Sequence, residues 1–463
     1  MSRLVAVSNR VASVRGAARA GGLAVALADA LRTRGGVLFG WSGRISDNPG
    51  RRNKQRETDN LTLVTVDLTA QEHENYYLGY SNRCLWPLLH YRPDLTAYER
   101  RYEEGYRQVN QRFARSLISE LRPDDIIWVQ DYHLIPLGAE LRALGAQQPI
   151  GFFLHTSFPS REVLATLPNH EGLARSFLAY DLVGVQTEGD RERFCEFVSC
   201  EGGARIARER LHAAGRSTLT RCFPVGIDPQ EVLDFSRTGD GEREYQRMAG
   251  ALRGRELMIG VDRLDYTKGL LRRLRAFEVF LAEHEDARRK VELLQVAPVS
   301  REEVQAYQDF RHELELAASR INGRFADSDW TPVRYVNHVI SRQRLAGLYR
   351  ASRVGFVTPV RDGMNLVAKE YVAAQDPADP GVLVLSRFAG AAAQMTAALL
   401  VNPYDAWAVA DALQAARTMP LEERRDRHQD LWRGLLAYDA ARWCREFLDT
   451  LATEGAESRV TAA

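Results

Sequence analysis

The sequence predicts an α/β protein of two doubly wound domains, each a mostly parallel sheet with helices on both faces. Three observations carry this. Short apolar runs alternate with helix-period stretches along the chain. Its 463 residues, at roughly 100–200 per domain, allow two or three domains. Unusual polar residues recur just after the apolar runs, where the carboxyl ends of strands would lie.

The first series of candidate strands is Leu4–Ser8, Val37–Gly40, Leu61–Leu68, Ile126–Gln130, Ile150–Leu154 and Leu182–Gln186. The second is Leu257–Val261, Val291–Ala297, Val333–Val336, Val354–Thr358 and Val382–Leu385. Amphipathic stretches separate most of them. In Gly269–Glu285 the residues Leu270, Leu271, Leu274, Phe277, Phe280 and Leu281 recur at helical spacing. Strands alternating with helices imply parallel sheets covered on both faces. The turn Pro224-Val-Gly-Ile-Asp-Pro229 and the charged stretch Arg237–Arg247 mark the change of domain. The expected division is 1–235, 236–440, and a terminal segment 441–463 made of an apolar helix and a small, polar, mobile tail from Thr453.

Composition narrows the function. With 45% hydrophobic and 27% charged residues and a net charge of +1, the chain has no basic excess for nucleic acid. Anion binding must therefore be local, from a few placed Arg and Lys side chains. The five cysteines form no C-x-x-C pair, so they read as thiols in a reducing compartment. The N-terminal apolar run is too short for a signal peptide. No apolar stretch approaches the ~18 residues that span a bilayer. A cytoplasmic protein that binds no membrane is expected.

Polar residues gather at the expected strand ends: Asn9-Arg10, Asp131-Tyr-His133, His155, Arg263 with Lys268, Arg301, and Arg361-Asp362. Their spread over both series predicts a cleft into which both domains send polar groups. The run Ala20-Gly21-Gly22-Leu23 lets backbone N–H groups approach an anion at a helix start, or is simply a loop entering a helix. In Gly260-Val-Asp-Arg263-Leu-Asp-Tyr-Thr-Lys268-Gly269, a planar fork and a point charge are placed to grip a diphosphate. The alternative is Arg263 paired with Asp265 on a solvated loop. Pro359–Glu370 reads as the start of a helix running to about Gln375, with Asp362 as cap. The amides of Gly363 to Leu366 would bind phosphate, and Glu370, two turns in, would reach a ribose. An ordinary capped helix with Lys369 and Glu370 as surface charges is the competing reading.

Asp327-Ser-Asp329 matches the D-x-D pattern of metal-dependent transferases but lies in a polar turn away from a strand end, and reads as a loop. No histidine pair has zincin spacing, so no metal is expected, and His133 and His155 read as hydrogen-bonding groups.

Taken in order, Val7-Ser-Asn-Arg10, Gly21-Gly-Leu23, Phe39-Gly-Trp41-Ser-Gly43, Leu85-Trp-Pro87, His90-Tyr-Arg92, Asp131-Tyr-His-Leu134, Gly151-Phe-Phe-Leu-His155, Arg263-Leu-Asp-Tyr266 with Lys268-Gly269, Asp362–Tyr371 and Val401-Asn-Pro-Tyr-Asp405 resemble the bacterial trehalose-6-phosphate synthases. The resemblance runs from about residue 1 to about residue 450. It implies a glycosyltransferase-B fold, two Rossmann-like domains facing across a cleft with the terminal helix crossing back to the first. It also implies a retaining transfer of glucose from a nucleotide sugar to glucose 6-phosphate, in trehalose biosynthesis and osmoprotection, without cofactor or metal. The mechanism it implies is front-face, with no covalent enzyme intermediate. A homo-oligomer, and a separate phosphatase acting downstream, are implied as well.

Residue by residue, the resemblance puts His155, Asp131, Arg263, Lys268 and Asp362 at the reacting centre. On the donor it puts Gly21, Gly22, Arg263, Lys268, Ile340, Asp362, Gly363, Met364, Asn365, Leu366, Val367, Ala368, Lys369 and Glu370. On the acceptor it puts Arg10, Tyr77, Trp86, Asp131 and Arg301, with Arg10 and Arg301 on the 6-phosphate. Four positions depart from the family pattern. Gln130 stands where His is common, Thr156-Ser157 where an apolar residue and Pro are usual, and Ile340 where an aromatic meets the base. UDP-, GDP- and ADP-glucose all stay open as donors. The rival readings are a glucosylglycerol-phosphate synthase on the same fold, a non-catalytic sugar-phosphate sensor, and a pyridoxal-phosphate-dependent phosphorylase. The acceptor arginines and aromatics oppose the first, and the intact Arg263, Lys268 and Asp362 oppose the second. The third would usually be a longer chain with a Schiff-base lysine.

Overall fold

The computed structural model describes residues 2–11, 31, 35–49, 52–58, 60–301 and 303–462, with side chains as far as 455. By its internal contacts the chain forms two compact units, Met1–Pro224 with Ala441–Ala463, and Val225–Ala440.

The first unit is built on ten strands: β1 (Leu4–Arg10), β2 (Gly36–Ile45), β3 (Arg52–Arg56), β4 (Leu61–Leu68), β5 (Ile126–Gln130), β6 (Ile150–Phe153), β7 (Leu182–Val185), β8 (Arg205–Ala207), β9 (Arg210–Ala213) and β10 (Arg216–Cys222). They lie in the order β3-β4-β2-β1-β5-β6-β7-β10-β9-β8. From β4 to β10 all neighbours are parallel, whereas β3, β9 and β8 join antiparallel at the edges. The sequence reading did not foresee β3, β8, β9 or β10. β3 (Arg-Asn-Lys-Gln-Arg) is exposed throughout, β8 mostly so and β9 half-buried, and polar residues interrupt the buried centre of β10, so none carries the apolar run that marks a buried strand. The charges at the sheet edges also keep them from pairing with another chain.

The terminal helix Ala440–Ala462 packs under β5, β6 and β7. Its Trp443 ring centre lies 5.0 Å from Trp128 and 5.1 Å from Phe153. Gly151 and Gly184 admit it, because a Cβ at either would come within 2.8 Å of the Phe447 ring. The helix is continuous to Ala462, so the expected mobile tail from Thr453 is helical here, with Glu454 salt-bridged to Arg210 at 2.7 Å.

The second unit has six parallel strands, β11 (Glu256–Val261), β12 (Val291–Val296), β13 (Val333–Val336), β14 (Val354–Val357), β15 (Val382–Ser386) and β16 (Leu399–Val401). Their order, β13-β12-β11-β14-β15-β16, is that of a dinucleotide-type doubly wound sheet. Alternate residues feed two separate cores. Leu257, Ile259, Leu383 and Leu385 enter one, and Met258, Phe356, Val382 and Val384 enter the other. This is the two-faced burial that the continuous apolar runs predicted.

The units divide at Pro224/Val225, eleven residues before the expected position at 235. The physical cause is the helix Pro229–Arg237, whose Val232 joins the second unit's core together with Ala346 and Tyr349.

Candidate active site

In both sheets the strand order reverses beside the first strand of the series, between β1 and β5 and between β11 and β14. Ligands of open α/β sheets bind outside the strand ends at such reversals. The sequence-predicted residues stand there: Arg10 ends β1, Asp131 follows β5, Asp262-Arg263 follow β11, and Arg361-Asp362 follow β14 closely.

In the second unit the turn after β11 is a short 3-10 helix, Tyr266–Lys268, capped by Asp265, whose side chain accepts from the Thr267 amide. Gly269 closes it at φ 70, and a Cβ there would lie 2.2 Å from the Thr358 carbonyl oxygen. Only glycine brings this turn onto the end of β14. Lys268 Nζ then reaches Asp362 Oδ2 at 2.6 Å, across 94 residues of sequence. Asp362 also accepts from the Gly363 amide and from Asn365 Nδ2, each at 3.0 Å. Arg263 is exposed on the same turn. Asp265 lies 3.6 Å from Arg301 and accepts from Tyr307 at 3.2 Å.

The helix expected from Gly363 starts later, at Leu366, and ends at Ala373. Its cap is Asn365, not Asp362. Asn365 sits at φ 74, ψ 85 and accepts from the Ala368 amide at 3.2 Å. Gly363 bends the chain and Met364 leads into the cap, held by Ala391 N donating to Met364 O at 2.8 Å. Met364 and Ala368 are core residues, with Leu366, Val367 and Ile340 packed against the same core. Any contact that Met364 or Ala368 makes with a donor is through its backbone. Lys369, assigned to the donor by the resemblance, is buried. Its buried ammonium donates to the Val225 carbonyl at 2.7 Å and to Gln394 Oε1 at 2.8 Å, and burial lowers its pKa to about 7. Glu370 lines a pocket with Val232, Phe235, Arg342, Leu345, Ala346 and Tyr349. Burial raises its carboxyl to about 7, against the pull of Arg342.

In the first unit Tyr77 lies on a π-helix, His73–Leu85, that continues into the turn Trp86–Leu89. Tyr77 stacks on His133 at 6.0 Å and on His73 at 5.4 Å, and meets Trp41 at 5.6 Å. The Arg10 guanidinium lies 5.8 Å from the Trp41 ring. Trp86 is buried against Tyr132 and His90. Asp131, at φ 72 and ψ 166, accepts from the His155 amide at 3.2 Å. His155 Nε2 lies 2.8 Å from Gln130 Oε1. Burial lowers the His155 pKa to about 3, so it is neutral. Arg301 belongs to the second unit. Gly21 and Gly22 lie outside the described residues. Sequence reasoning did not bring Trp41, His73 and His133 together around Tyr77, because they come from a strand, a π-helix and a turn far apart in the chain.

Arg289 pairs with Asp327 at 2.7 Å and Asp329 at 2.9 Å, so the D-x-D carboxylates are held by a guanidinium, as a loop reading requires. No group of His, Cys, Asp and Glu suited to a metal ion occurs among the described residues, and no helix among them is long and apolar enough to cross a membrane.

Residues 5–453 match the family model described as glycosyltransferase family 20. The chain belongs to that family. It is 48% identical over 457 residues to a trehalose-6-phosphate synthase of Sinorhizobium fredii, covering 97% of this chain and 98% of that protein. A crystal structure of an α,α-trehalose-phosphate synthase (UDP-forming) from Burkholderia vietnamiensis superposes with a TM-score of 0.95 at 46% identity, over 99% of this chain and 98% of that one. One from Burkholderia xenovorans, in complex with glucose 6-phosphate, gives 0.92 at 45%, over 97% and 100%. The expected membership of the trehalose-6-phosphate synthases, and the two Rossmann-like α/β domains with a helix returning to the first, hold for this chain.

Proposed function

We propose that this family 20 glycosyltransferase transfers glucose from UDP-glucose to glucose 6-phosphate with retention, forming α,α-trehalose 6-phosphate and UDP. The similar proteins above carry that activity in their names, one of them holding glucose 6-phosphate. The observation that carries it in this chain is the joining of Lys268 to Asp362 at a strand reversal, beside exposed Arg263.

In this reading Arg263 and Lys268 hold the diphosphate, and Asp362 accepts from hydroxyls of the transferred glucose. Neutral His155 adds a hydrogen bond to that sugar, and Glu370 takes the ribose. Arg10 and Arg301 neutralise the acceptor's 6-phosphate, and Tyr77 and Trp86 cover the apolar faces of its ring, with Asp131 on a hydroxyl. The anomeric C–O bond to the phosphate breaks as the acceptor's 1-oxygen bonds to the same face of that carbon. The acceptor's proton passes to the departing phosphate oxygen. The cations stabilise charge as it develops there, which is where fixed dipoles and charges lower a barrier most.

Lys268→Ala is expected to lower kcat by about a hundredfold or more while the melting temperature stays near wild type. A product assay with UDP-, GDP- and ADP-glucose against glucose 6-phosphate tests the whole reading; no phosphorylated disaccharide from any donor would refute it. Since Arg289 engages both D-x-D carboxylates, turnover is expected to survive chelator dialysis.

A further inference from the structure

Behind the strand ends that carry Arg263, Lys268 and Asp362 lies a guanidinium with no path to substrate. Arg273, early in the helix Leu270–Glu283, is 1% exposed. It pairs with Asp262 at 2.7 Å. Its Nε donates to Thr358 Oγ1 at 3.2 Å, its Nη1 to Gln295 Oε1 at 3.0 Å, and its Nη2 to the Lys268 carbonyl at 3.5 Å. Gln295 passes the tether on, donating to the carbonyls of Gly260 at 3.1 Å and Val296 at 3.2 Å.

One side chain thus touches the ends of β11, β12 and β14, the residue before Arg263, and the peptide of Lys268. A buried Arg–Asp pair is a poor source of stability, because desolvation offsets the attraction and a well-packed apolar pair often does as well. An apolar pair cannot hold four polar atoms in fixed directions. Asp262 cancels the charge of Arg273, so the field at the strand ends owes little to this pair. What remains is geometry: the planar fork fixes the 262–268 turn against the end of β14.

We propose that Arg273 is a positioning residue for the donor diphosphate, holding Arg263 and Lys268 in the one arrangement that meets it, with Asp262 as counter-charge. This rests on reading Arg263 and Lys268 as the diphosphate grip.

The test compares Arg273→Lys, the charge-free double variant Asp262→Asn/Arg273→Met, and Thr358→Val, which removes one tether and leaves the ion pair in place. Circular dichroism and melting report folding, titration calorimetry reports UDP affinity, and steady-state kinetics reports kcat and the KM for glucose 6-phosphate. Arg273→Lys and the double variant are expected to weaken UDP binding about tenfold and lower kcat about a hundredfold, with the acceptor KM within about twofold. Thr358→Val strands the Arg273 Nε–H, so it is expected to lower the melting temperature modestly and to weaken UDP binding by the folded protein about threefold. A purely structural role would reduce the folded fraction and leave the UDP affinity of folded molecules unchanged. That result, or full activity in Arg273→Lys, overturns the proposal. Lys268→Ala is run alongside. If it binds UDP and turns over normally, the grip reading fails and takes this inference with it. If Lys268→Ala is crippled while the Arg273 and Thr358 variants are normal, this inference alone fails.

Discussion

Asp131 sits at φ 72, ψ 166, a region that is essentially glycine's own and costs other residues about 1–3 kcal/mol. Arg301 and Asn365, also assigned to substrate, share the sign of φ at 53 and 74. Asp131→Gly should therefore melt no lower than wild type and yet lose acceptor affinity, which separates strain from function in a single variant. The Gln130 carboxamide and His155 Nε2 lie 2.8 Å apart; Gln130→Leu leaves that ring nitrogen without its partner and should cost about 1–3 kcal/mol in denaturant unfolding. Glu370 and Lys369 are neighbours with opposite linkage. Burial raises the Glu370 carboxyl from 4.5 to about 7, with Arg342 opposing and Glu231 adding, so its contribution to stability falls as pH rises through that interval. Burial lowers Lys369 from 10.5 to about 7, so its contribution rises with pH between those values. A ribose hydroxyl donates best to a carboxylate. UDP affinity should thus climb from about pH 6 to about pH 8, and Glu370→Gln should flatten that climb and weaken binding about tenfold.

At the scale of elements, the helix Ala440–Ala462 is the segment on which the first unit's sheet most visibly depends. Trp443 is fully buried between Trp128 and Phe153, with His155 6.1 Å away. Trp443→Ala should cost about 3–5 kcal/mol, read as a shift in the denaturant midpoint. Most parallel strands were legible because buried apolar residues dominate them: Ile126–Gln130 and Leu61–Leu68 occur with the expected bounds, whereas β10, rich in Arg, Ser and Thr, and the three-residue β16 were not foreseen. The helix after β14 was legible in kind and misplaced by a few residues. Asp362 and Asn365 are both acceptable caps by residue type, and what decides between them is that Asp362 is already bound to Lys268. The π-helix His73–Leu85 was not legible, because its apolar spacing follows no 3.6-residue period. The Arg273 network escaped for a related reason, since a charged residue in an amphipathic helix reads as surface until the three strand ends around it are known.

At the scale of the molecule, the second unit draws both its cores from its own residues, between Ile227 and Leu435. Residues 225–440 expressed alone should give a cooperative thermal transition and bind UDP measurably in a calorimeter, since Arg263, Lys268, Asp362 and Glu370 all lie within them. The two ends of that unit also meet. The Ala440 amide donates to the Ile227 carbonyl at 3.0 Å, and a Cβ on Gly226 would fall 2.4 Å from the carbonyl carbon of Asp439. A stretch of 216 residues that begins and finishes at one point is, to the chain on either side of it, no longer than a short loop, because closing a loop whose ends already touch costs almost no further entropy. Residues 225–440 therefore form a cassette: an unrelated folded insert with adjoining termini, spliced between Pro224 and Ala441, should leave the first sheet and its terminal helix able to assemble.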